Sequence, residues 1–325
     1  MIRKYGFVAL AAAWLAPIFA PSPAKAQLWT WTKEQMLDYT KAWTGDRFPD
    51  GRPKVPDALL ERAKGLSREE IMVRNWGIQP AGGGGAGGGR GGGAGMGGGG
   101  GYSQYVGDWE VLHPGKKMVG RVFTMQFMPS RPDLDAVVTA KAREKGVNSI
   151  NNQYVIDMLQ PGDVLVVDLL GKKEGGTIVG DNLVYYIMKA TKGGGLVVDG
   201  GFRDLEGVGE MDMACYYKTV HPSAIGGVTL AGFNVPIRIG NVTVIPGDVA
   251  VGDREGVSFV PPQALAEILD AADRTHIHDE WTRKKFDEGK YKSSEIYSSP
   301  RDPALQKEYQ EYLKKRLEEI QSGKK

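Results

Sequence analysis

Two short segments bring together residue types able to do chemistry. The stretch LVVDGGFRDLEGVGE, residues 196–210, reads as a buried strand that reaches a glycine corner and then presents Arg203 beside Asp204 and Glu206. A guanidinium offers a planar fork of donors matched to a carboxylate, and an aspartate offers a hard oxygen ligand suited to Mg²⁺ or Mn²⁺. A 2-oxo acid would use both groups. The opposing reading of the same residues is an Arg–Asp pair that closes a turn by mutual hydrogen bonding. In the second segment, GTIVGDNLVYYIMK, residues 176–189, Gly180 and Asp181 stand just before a helix. Backbone N–H groups at such a helix start lack intrahelical partners and point toward any anion placed there.

The elements that must position these residues follow from pattern. Leu196 to Asp199 forms a strand that ends at Gly200-Gly201, where the absence of side chains lets a ligand approach the backbone. Asn182 to Lys192 forms a helix that stops at Gly193-Gly194-Gly195. A strand–helix–strand path brings the helix start and the end of the following strand either to one edge of a sheet or to its opposite ends, depending on the connection. MVGRVFTMQFM is strand-like, and DVLVVDLL and GLVVDGG have the length and continuous apolarity of strands buried on both faces. VTVIPGDVAVGDREGVSFVP reads as three short strands joined by Pro-Gly-Asp and Asp-Arg-Glu-Gly turns. Leu265, Ile268, Leu269 and Ala272 give a further helix one apolar face. Leu305, Tyr309, Tyr312, Leu313, Leu317 and Ile320 do the same for a charged C-terminal helix, a docking element for its own core or for a neighbouring subunit.

Composition divides the 325 residues into five parts. Residues 1–26 read as a signal peptide: Arg3 and Lys4, an apolar run from Phe7 to Phe19, then Ala24-Lys25-Ala26 ahead of a cleavage before Gln27. The run is shorter than the roughly 20 residues that cross a bilayer, and Pro17 interrupts it, so no stable membrane insertion is expected after cleavage. The expected location is periplasmic or secreted. Residues 27–81 form an N-terminal helical segment, with helices over Ala58–Lys64 and Ser67–Arg74 and a capping box from Ser67 to Glu70. Residues 82–101 are a glycine-rich linker; no strand precedes it and no helix follows it, as a phosphate loop requires. An α/β core over 102–275 and a helical extension over 276–325 complete the chain.

Net charge is +2 with both signs interspersed, which provides no basic face for nucleic acid. Cys215 is the single cysteine, so no intrachain disulfide forms, and it reads as a small buried hydrophobe. His276 and His278 stand two apart on a helix and therefore point to different faces, which argues against a shared metal. His221 reads as a loop histidine, with pocket lining as the alternative. Tyr185 and Tyr186 are neighbours on a helix, so one must face the core while the other is free to shape a pocket. No zincin helix, nucleophile elbow or cysteine-rich metal pattern occurs.

The ordered motifs QPGDVLVVD, VGDNL, GGLVVDGGFRD and VTVIPGDVAVGDREGVSFVPP resemble the family that contains the regulator of ribonuclease activity A and the class II 4-hydroxy-4-methyl-2-oxoglutarate aldolases. The likeness spans roughly Asp108 to Ala272, and RFPDGRPKVPDALLERAK is similar to an N-terminal segment of some members. The resemblance implies an α/β fold of the β/β/α swivelling type, here with helical N- and C-terminal extensions, assembled as a homo-oligomeric trimer or hexamer with sites between subunits. It implies a divalent metal, Mg²⁺ or Mn²⁺, and retro-aldol cleavage to pyruvate or decarboxylation of oxaloacetate, with a small-molecule 2-oxo acid as substrate. On that footing Arg203 holds the pyruvyl carboxylate, Asp204 binds the metal, Asp181 is a supporting acid, and Gly180 with the amides of Asn182 and Leu183 completes the carboxylate pocket. The alternative is a non-catalytic ring protein that binds a protein partner or a small 2-oxo acid, or a ring-forming scaffold. The chain departs from the family pattern in three ways. Gly207 stands where the aldolases carry an acid, with Glu206 and Glu210 the nearest acids. The spacing from Gly180 to Arg203 is about one residue longer than in typical members. The carboxylate that a neighbouring subunit would supply is assigned only to Glu280.

Overall fold

Apolar runs broken by glycine and proline dictate the element order, and the computed structural model describes residues 30–71, 104–297 and 300–322. Helices α1 (Lys33–Tyr39) and α2 (Asp57–Lys64) come first, followed by strands β1 (Tyr105–Val106), β2 (Glu110–Leu112) and β3 (Met118–Pro129). Then follow α3 (Pro132–Glu144), α4 (Asn152–Ile156), β4 (Asp163–Thr177), α5 (Asp181–Thr191), β5 (Leu196–Phe202), α6 (Leu205–Gly209) and β6 (Cys215–Val220). Strands β7 (Val228–Phe233), β8 (Ile237–Ile239), β9 (Val242–Val244), β10 (Val249–Asp253) and β11 (Gly256–Val260) lead to α7 (Leu265–Asp287), α8 (Ser293–Ile296) and α9 (Pro303–Gln321). The expected signal peptide and the glycine tract lie outside the described residues.

Nine strands form one sheet in the order β1-β11-β10-β3-β4-β5-β6-β2, with β7 paired to the far half of β3. Strands β3, β4, β5 and β6 are mutually parallel. Parallel neighbours need crossover connections, and α3 with α4, α5, and α6 supply them in turn. Alternation along each strand then divides the core. Phe123, Leu165, Val167, Val198 and Phe202 meet Val184 and Ile187 of α5 on one face. Val122, Val164, Val166 and Val197 meet Ile237, Ile239, Val242 and Val244 of the β8–β9 hairpin on the other. The layers are hairpin, sheet, helices, which is the expected β/β/α order.

That topology decides the path left open by the sequence. Because β4, β5 and β6 are parallel, their carboxyl ends share one edge, and α5 begins where β4 ends. The start of α5 and the turn after β5 therefore meet, at the edge where open α/β sheets present ligand sites.

The extensions are fastened to the core. Arg52, fully buried, pairs with buried Asp163 at 3.0 Å and 3.3 Å through both terminal nitrogens and lies 4.6 Å from the ring centres of both Phe48 and Phe123. Arg121 bonds Asp57 at the start of α2, and Arg62 bonds Asp273 of α7. In the C-terminal extension Trp281 of α7 packs with Ile296 and Leu305, flanked by Tyr309 and Tyr312 of α9. The amphipathic C-terminal helix thus docks on its own chain.

Several elements differ from expectation. Over Ser67–Ile71 the capping-box bonds form, Glu70 N–H to Ser67 Oγ at 3.1 Å and Ser67 N–H to the Glu70 carboxylate at 2.6 Å, yet they close a single turn rather than a helix. Residues 72–81 lie outside the described region. β5 continues through Gly200 and Gly201 to Phe202. A Cβ on Gly200 would meet Leu169 Cβ at 3.0 Å, and one on Gly201 would meet Lys173 O at 3.1 Å, so these glycines admit the returning β4 backbone instead of a ligand. The expected apolar run of β4 also carries Asp168, buried beside its register partner Asp199, with Arg238 Nη2 at 3.9 Å from each. Cys215 is buried, and that burial pushes its thiol up to about 12, which fits a packing residue.

Candidate active site

Thr177 of β4 is level with Gly201 of β5, so the two strands deliver Gly180-Asp181 and Arg203-Asp204 to neighbouring positions. Asn152, at the start of α4, donates its Nδ2 to the Ile178 carbonyl at 2.6 Å and fixes the loop that enters α5. On the β5 side Asp204 adopts a left-handed backbone, φ 57° and ψ 37°, which aspartate tolerates better than most L residues. That turn starts α6 and directs Asp204 back toward Gly180.

Gly180 is required by this approach. A Cβ there would stand 2.5 Å from Asp204 Oδ2 and 2.9 Å from Arg203 Nη2. The Asp181 N–H donates to Asp204 Oδ2 at 3.4 Å, and Arg203 Nε lies 3.4 Å from the same oxygen. Arg203 Nε is nonetheless buried without a hydrogen-bond acceptor. The side chains of Arg203 and Asp204 are 33% and 43% exposed, so the guanidinium and carboxylate open to solvent while one donor waits unspent beneath them.

The remaining site residues fall around this pair. The Asn182 N–H donates to Asp181 Oδ1 at 2.7 Å, and the Leu183 N–H to the Gly180 carbonyl at 3.1 Å. The two amides assigned to a substrate carboxylate are thus occupied here, the first by the acid that heads α5 and the second by the tightened first turn. Gly207 of α6 faces Asp181: a Cβ at 207 would lie 3.1 Å from Asp181 Oδ2. Glu206 and Glu210 are exposed.

His221 follows β6 on the same edge, its N–H bonded to the Phe202 carbonyl at 3.0 Å. Its Nδ1 accepts the Ser223 N–H at 3.2 Å and pairs with Ser223 Oγ at 2.8 Å, which leaves the proton of the neutral ring on Nε2. Ser223 Oγ in turn accepts the Gly175 N–H at 2.7 Å, so this loop buttresses the end of β4. Both tyrosines of α5 are about half exposed, so neither Tyr185 nor Tyr186 fills the core as the helical pattern required of one. Their helix buries Val184 and Ile187 instead.

Glu280 is committed within its own chain. Its carboxylate accepts from Tyr312 Oη at 2.7 Å, Lys284 Nζ at 3.1 Å and Arg316 Nε at 3.1 Å. Burial pushes its carboxyl up, but these three donors outweigh that and hold it down at about 2. It ties α9 to α7, which is a different task from completing a neighbour's site. His276 bonds Glu70 at 2.8 Å while His278 meets the Tyr309 ring edge-on at 5.4 Å, so the two point apart as expected.

Among the described residues no group of three or more His, Cys, Asp or Glu is arranged to hold a metal ion. A hydrated divalent cation of the Mg²⁺ kind needs fewer protein ligands, one or two carboxylates, because it keeps several waters. Asp204, open to solvent and linked through the Asp181 N–H to a second carboxylate-bearing residue, meets that requirement.

Comparison with known proteins bears on the same stretch of chain. The model of the RraA-like family, Aldolase/RraA, matches residues 96–258. The chain belongs to the RraA-like family. A provisionally named 4-hydroxy-4-methyl-2-oxoglutarate aldolase of Halalkalibacterium halodurans is 32% identical over 146 residues, 44% of this chain and 69% of that protein. One from Ectopseudomonas mendocina, also provisionally named, is 35% identical over 132 residues, 40% of this chain and 76% of the relative. Among solved structures, Streptomyces coelicolor RraAS2, described as an unusual member of the RNase ES inhibitor RraA family, superposes with a TM-score of 0.55 at 27% identity. The match covers 71% of this chain and 100% of RraAS2. The residues matched by the family model run from β1 into β11, and α7 to α9 follow them in the chain.

Sequence reasoning found Arg203, Asp204, Asp181 and Gly180, and the fold brings all four together. It missed Asn152 and Ser223, which support the site from distant segments and carry no local motif. It also gave Gly180 a role as an anion seat, whereas its steric role emerges only once Arg203 and Asp204 fold over it.

Proposed function

We propose that this RraA-like protein is a divalent-metal-dependent carbon–carbon lyase acting on pyruvyl-type 2-oxo acids, by retro-aldol cleavage, decarboxylation or both. The observation that carries the proposal is the solvent-open pair of Arg203 and Asp204, loosely joined at 3.4 Å, at the carboxyl edge of the sheet beside the start of α5. The Arg203 side chain is 33% exposed, so donors of its planar fork stay open to a carboxylate arriving from solvent. Arg203 holds the carboxylate through its fork and so fixes where the keto group lies. Asp204, with Asp181 behind it, is the residue that would hold Mg²⁺ or Mn²⁺. The cation would supply Lewis acidity at the keto oxygen, which both cleavage and decarboxylation require. Asp181 Oδ2 rests against α6 and its Oδ1 is anchored by the Asn182 N–H, so this carboxylate is oriented before substrate arrives. Assembly into a homo-oligomer that walls the exposed side of the site, and export directed by residues 1–26, belong to the same proposal.

The test is pyruvate release from oxaloacetate and from 4-hydroxy-4-methyl-2-oxoglutarate, with Mg²⁺ and with a chelator. Turnover that needs the metal and is largely lost in Arg203→Ala and Asp204→Ala is the expected result. A second reading, a non-catalytic binding protein, draws on the likeness to RraAS2, which is described as a member of an RNase inhibitor family. It gains if neither substrate turns over while pyruvate with Mg²⁺ still raises the melting temperature.

A further inference from the structure

We propose that His221 is a specificity-determining residue, whose ring donates its Nε2–H to the carboxylate at the far end of a dicarboxylic 2-oxo acid. The inference rests on the reading of Arg203 as the seat of the first carboxylate. Strand order places the groups. β5 lies between β4 and β6, so Gly180 and Asp181 flank Arg203 on one side and His221 flanks it on the other. Phe202 and Val220 are register partners, and the His221 N–H donates to the Phe202 carbonyl at 3.0 Å, so Arg203 and His221 are the first residues beyond paired strand ends. Adjacent strands stand roughly 4.8 Å apart, a span that the carbon chain of such an acid bridges. The ring is held in one tautomer. The Ser223 N–H can only donate, and it lies 3.2 Å from Nδ1, so Nδ1 accepts and the neutral ring carries its proton on Nε2. Ser223 Oγ, 2.8 Å from Nδ1, is itself fixed by the Gly175 N–H, and Thr177 Oγ1 donates to the His221 carbonyl at 3.1 Å. Both anchors belong to the returning stretch of β4, so the imidazole is braced before a ligand arrives. Among the described residues Nε2 makes no hydrogen bond, and it is not sealed from solvent as the Nε2 atoms of His113 and His278 are. A braced neutral donor on the flank of Arg203 opposite Asp181 suits a second acceptor on the ligand that Arg203 holds.

Calorimetry with Mg²⁺ compares the binding of 2-oxoglutarate with that of 2-oxobutyrate, which lacks the second carboxylate, for the full chain and for His221→Ala, His221→Asn and His221→Gln. Wild type should favour 2-oxoglutarate by about 10-fold or more, since a hydrogen bond to a charged group is at stake. His221→Ala should lose that preference while it binds 2-oxobutyrate as before, a split that a merely structural histidine would not give. His221→Gln, whose amide reaches the Nε2 position, should keep most of the preference. His221→Asn, whose amide matches Nδ1, should not. If His221→Ala does not fold, His221→Asn carries the comparison, because its side chain can still accept the Ser223 N–H. Nitrogen-15 shifts of the ring in the metal-free protein should show the Nε2–H tautomer. The inference is overturned if His221→Ala keeps the preference, if wild type binds the two acids equally, or if the ring carries its proton on Nδ1. Wild type that binds neither acid removes the functional reading and the inference together, whereas a preserved preference without turnover removes the lyase reading alone.

Discussion

The sharpest test of the site is the smallest change, Gly180→Ala. The methyl carbon would be placed 2.5 Å from Asp204 Oδ2, about 0.9 Å short of the 3.4 Å at which ordinary contact begins, and 2.9 Å from Arg203 Nη2. Both contacts are the far ends of the Arg203 and Asp204 side chains, 33% and 43% exposed, so the clash is relieved by moving them and not the backbone. The displacement falls on both groups that would hold substrate and cation. A misplacement of about 1 Å can cost on the order of 100-fold in rate, equivalent to roughly 2.7 kcal/mol of transition-state stabilisation. Folding should scarcely register the change. The backbone at 180 is extended, φ −107° and ψ −176°, which alanine adopts, and alanine at a helix N-cap costs about 1 kcal/mol. The assay is kcat/KM for oxaloacetate with Mg²⁺, alongside a melting curve and the thermal-shift response to pyruvate with Mg²⁺. A variant that melts within a few degrees of wild type yet loses about two orders of magnitude in activity supports the geometry. One that keeps wild-type turnover and pyruvate response refutes it, because the approach of Arg203 and Asp204 to residue 180 would then be irrelevant to function.

Two further predictions concern what holds the site's scaffold in place. Full burial pushes the Asp248 carboxyl from its ordinary 3.8 up to about 7, against a hydrogen bond from the Ile245 N–H. The folded state thus binds this proton more tightly than the unfolded chain, and the associated stability is complete below about pH 4 and lost as pH rises through 7. Asp248→Asn should therefore be more stable than wild type above pH 7, by at most roughly 4 kcal/mol, and should flatten the pH profile in urea melts; an unchanged profile counts against the assignment. Arg52→Ala removes one partner of a pair whose side chains are 1% and 0% exposed, leaving Asp163 uncompensated at the head of β4. Denaturant unfolding at neutral pH should show a loss of about 3–5 kcal/mol, and a loss below 1 kcal/mol would mean that the N-terminal segment is not a working part of the core.

Which features the sequence exposes depends on the range of the interaction that creates them. Val164 to Val167 and Leu196 to Val198 are buried on both faces, so their continuous apolarity marks strands directly, and the turns at Pro246-Gly247-Asp248 and Asp253 to Gly256 punctuate β9 to β11 just as plainly. Arg203 and Asp204 are likewise legible, since a charged pair directly after a buried strand stands out against the apolar run that precedes it. The role of Gly200 and Gly201 was not legible. Glycines at a strand end look like an opening for a ligand, but the β4 backbone returns across them after an excursion over Leu169 to Thr177 that no periodicity announces. The short helix α6 escaped for a related reason: LEGVG has two glycines and no amphipathic period, and only the left-handed turn at Asp204 starts it. Asn152, which supports the site through a single bond to Ile178 O across 26 residues, has no local signal at all.

The choice between a ligand site and a turn-closing ion pair can be argued from the residues themselves. If Arg203 and Asp204 served each other, the pair should spend its hydrogen-bonding capacity internally. Instead their closest approach is 3.4 Å, and the very nitrogen that makes it is buried and lacks an acceptor. Exposed ion pairs contribute about 0–1 kcal/mol, too little to offset both a buried unsatisfied donor and a left-handed backbone at a residue other than glycine. Two glycines, at 180 and 207, meanwhile leave the space beside them to the charged side chains of Arg203, Asp204 and Asp181. A turn closed for its own stability would have relaxed these features singly, since each could be repaired by one substitution. Their joint presence at the carboxyl edge, where β4 and β5 end side by side, supports the proposed reading of this edge as a ligand site over that of a turn closed for its own stability.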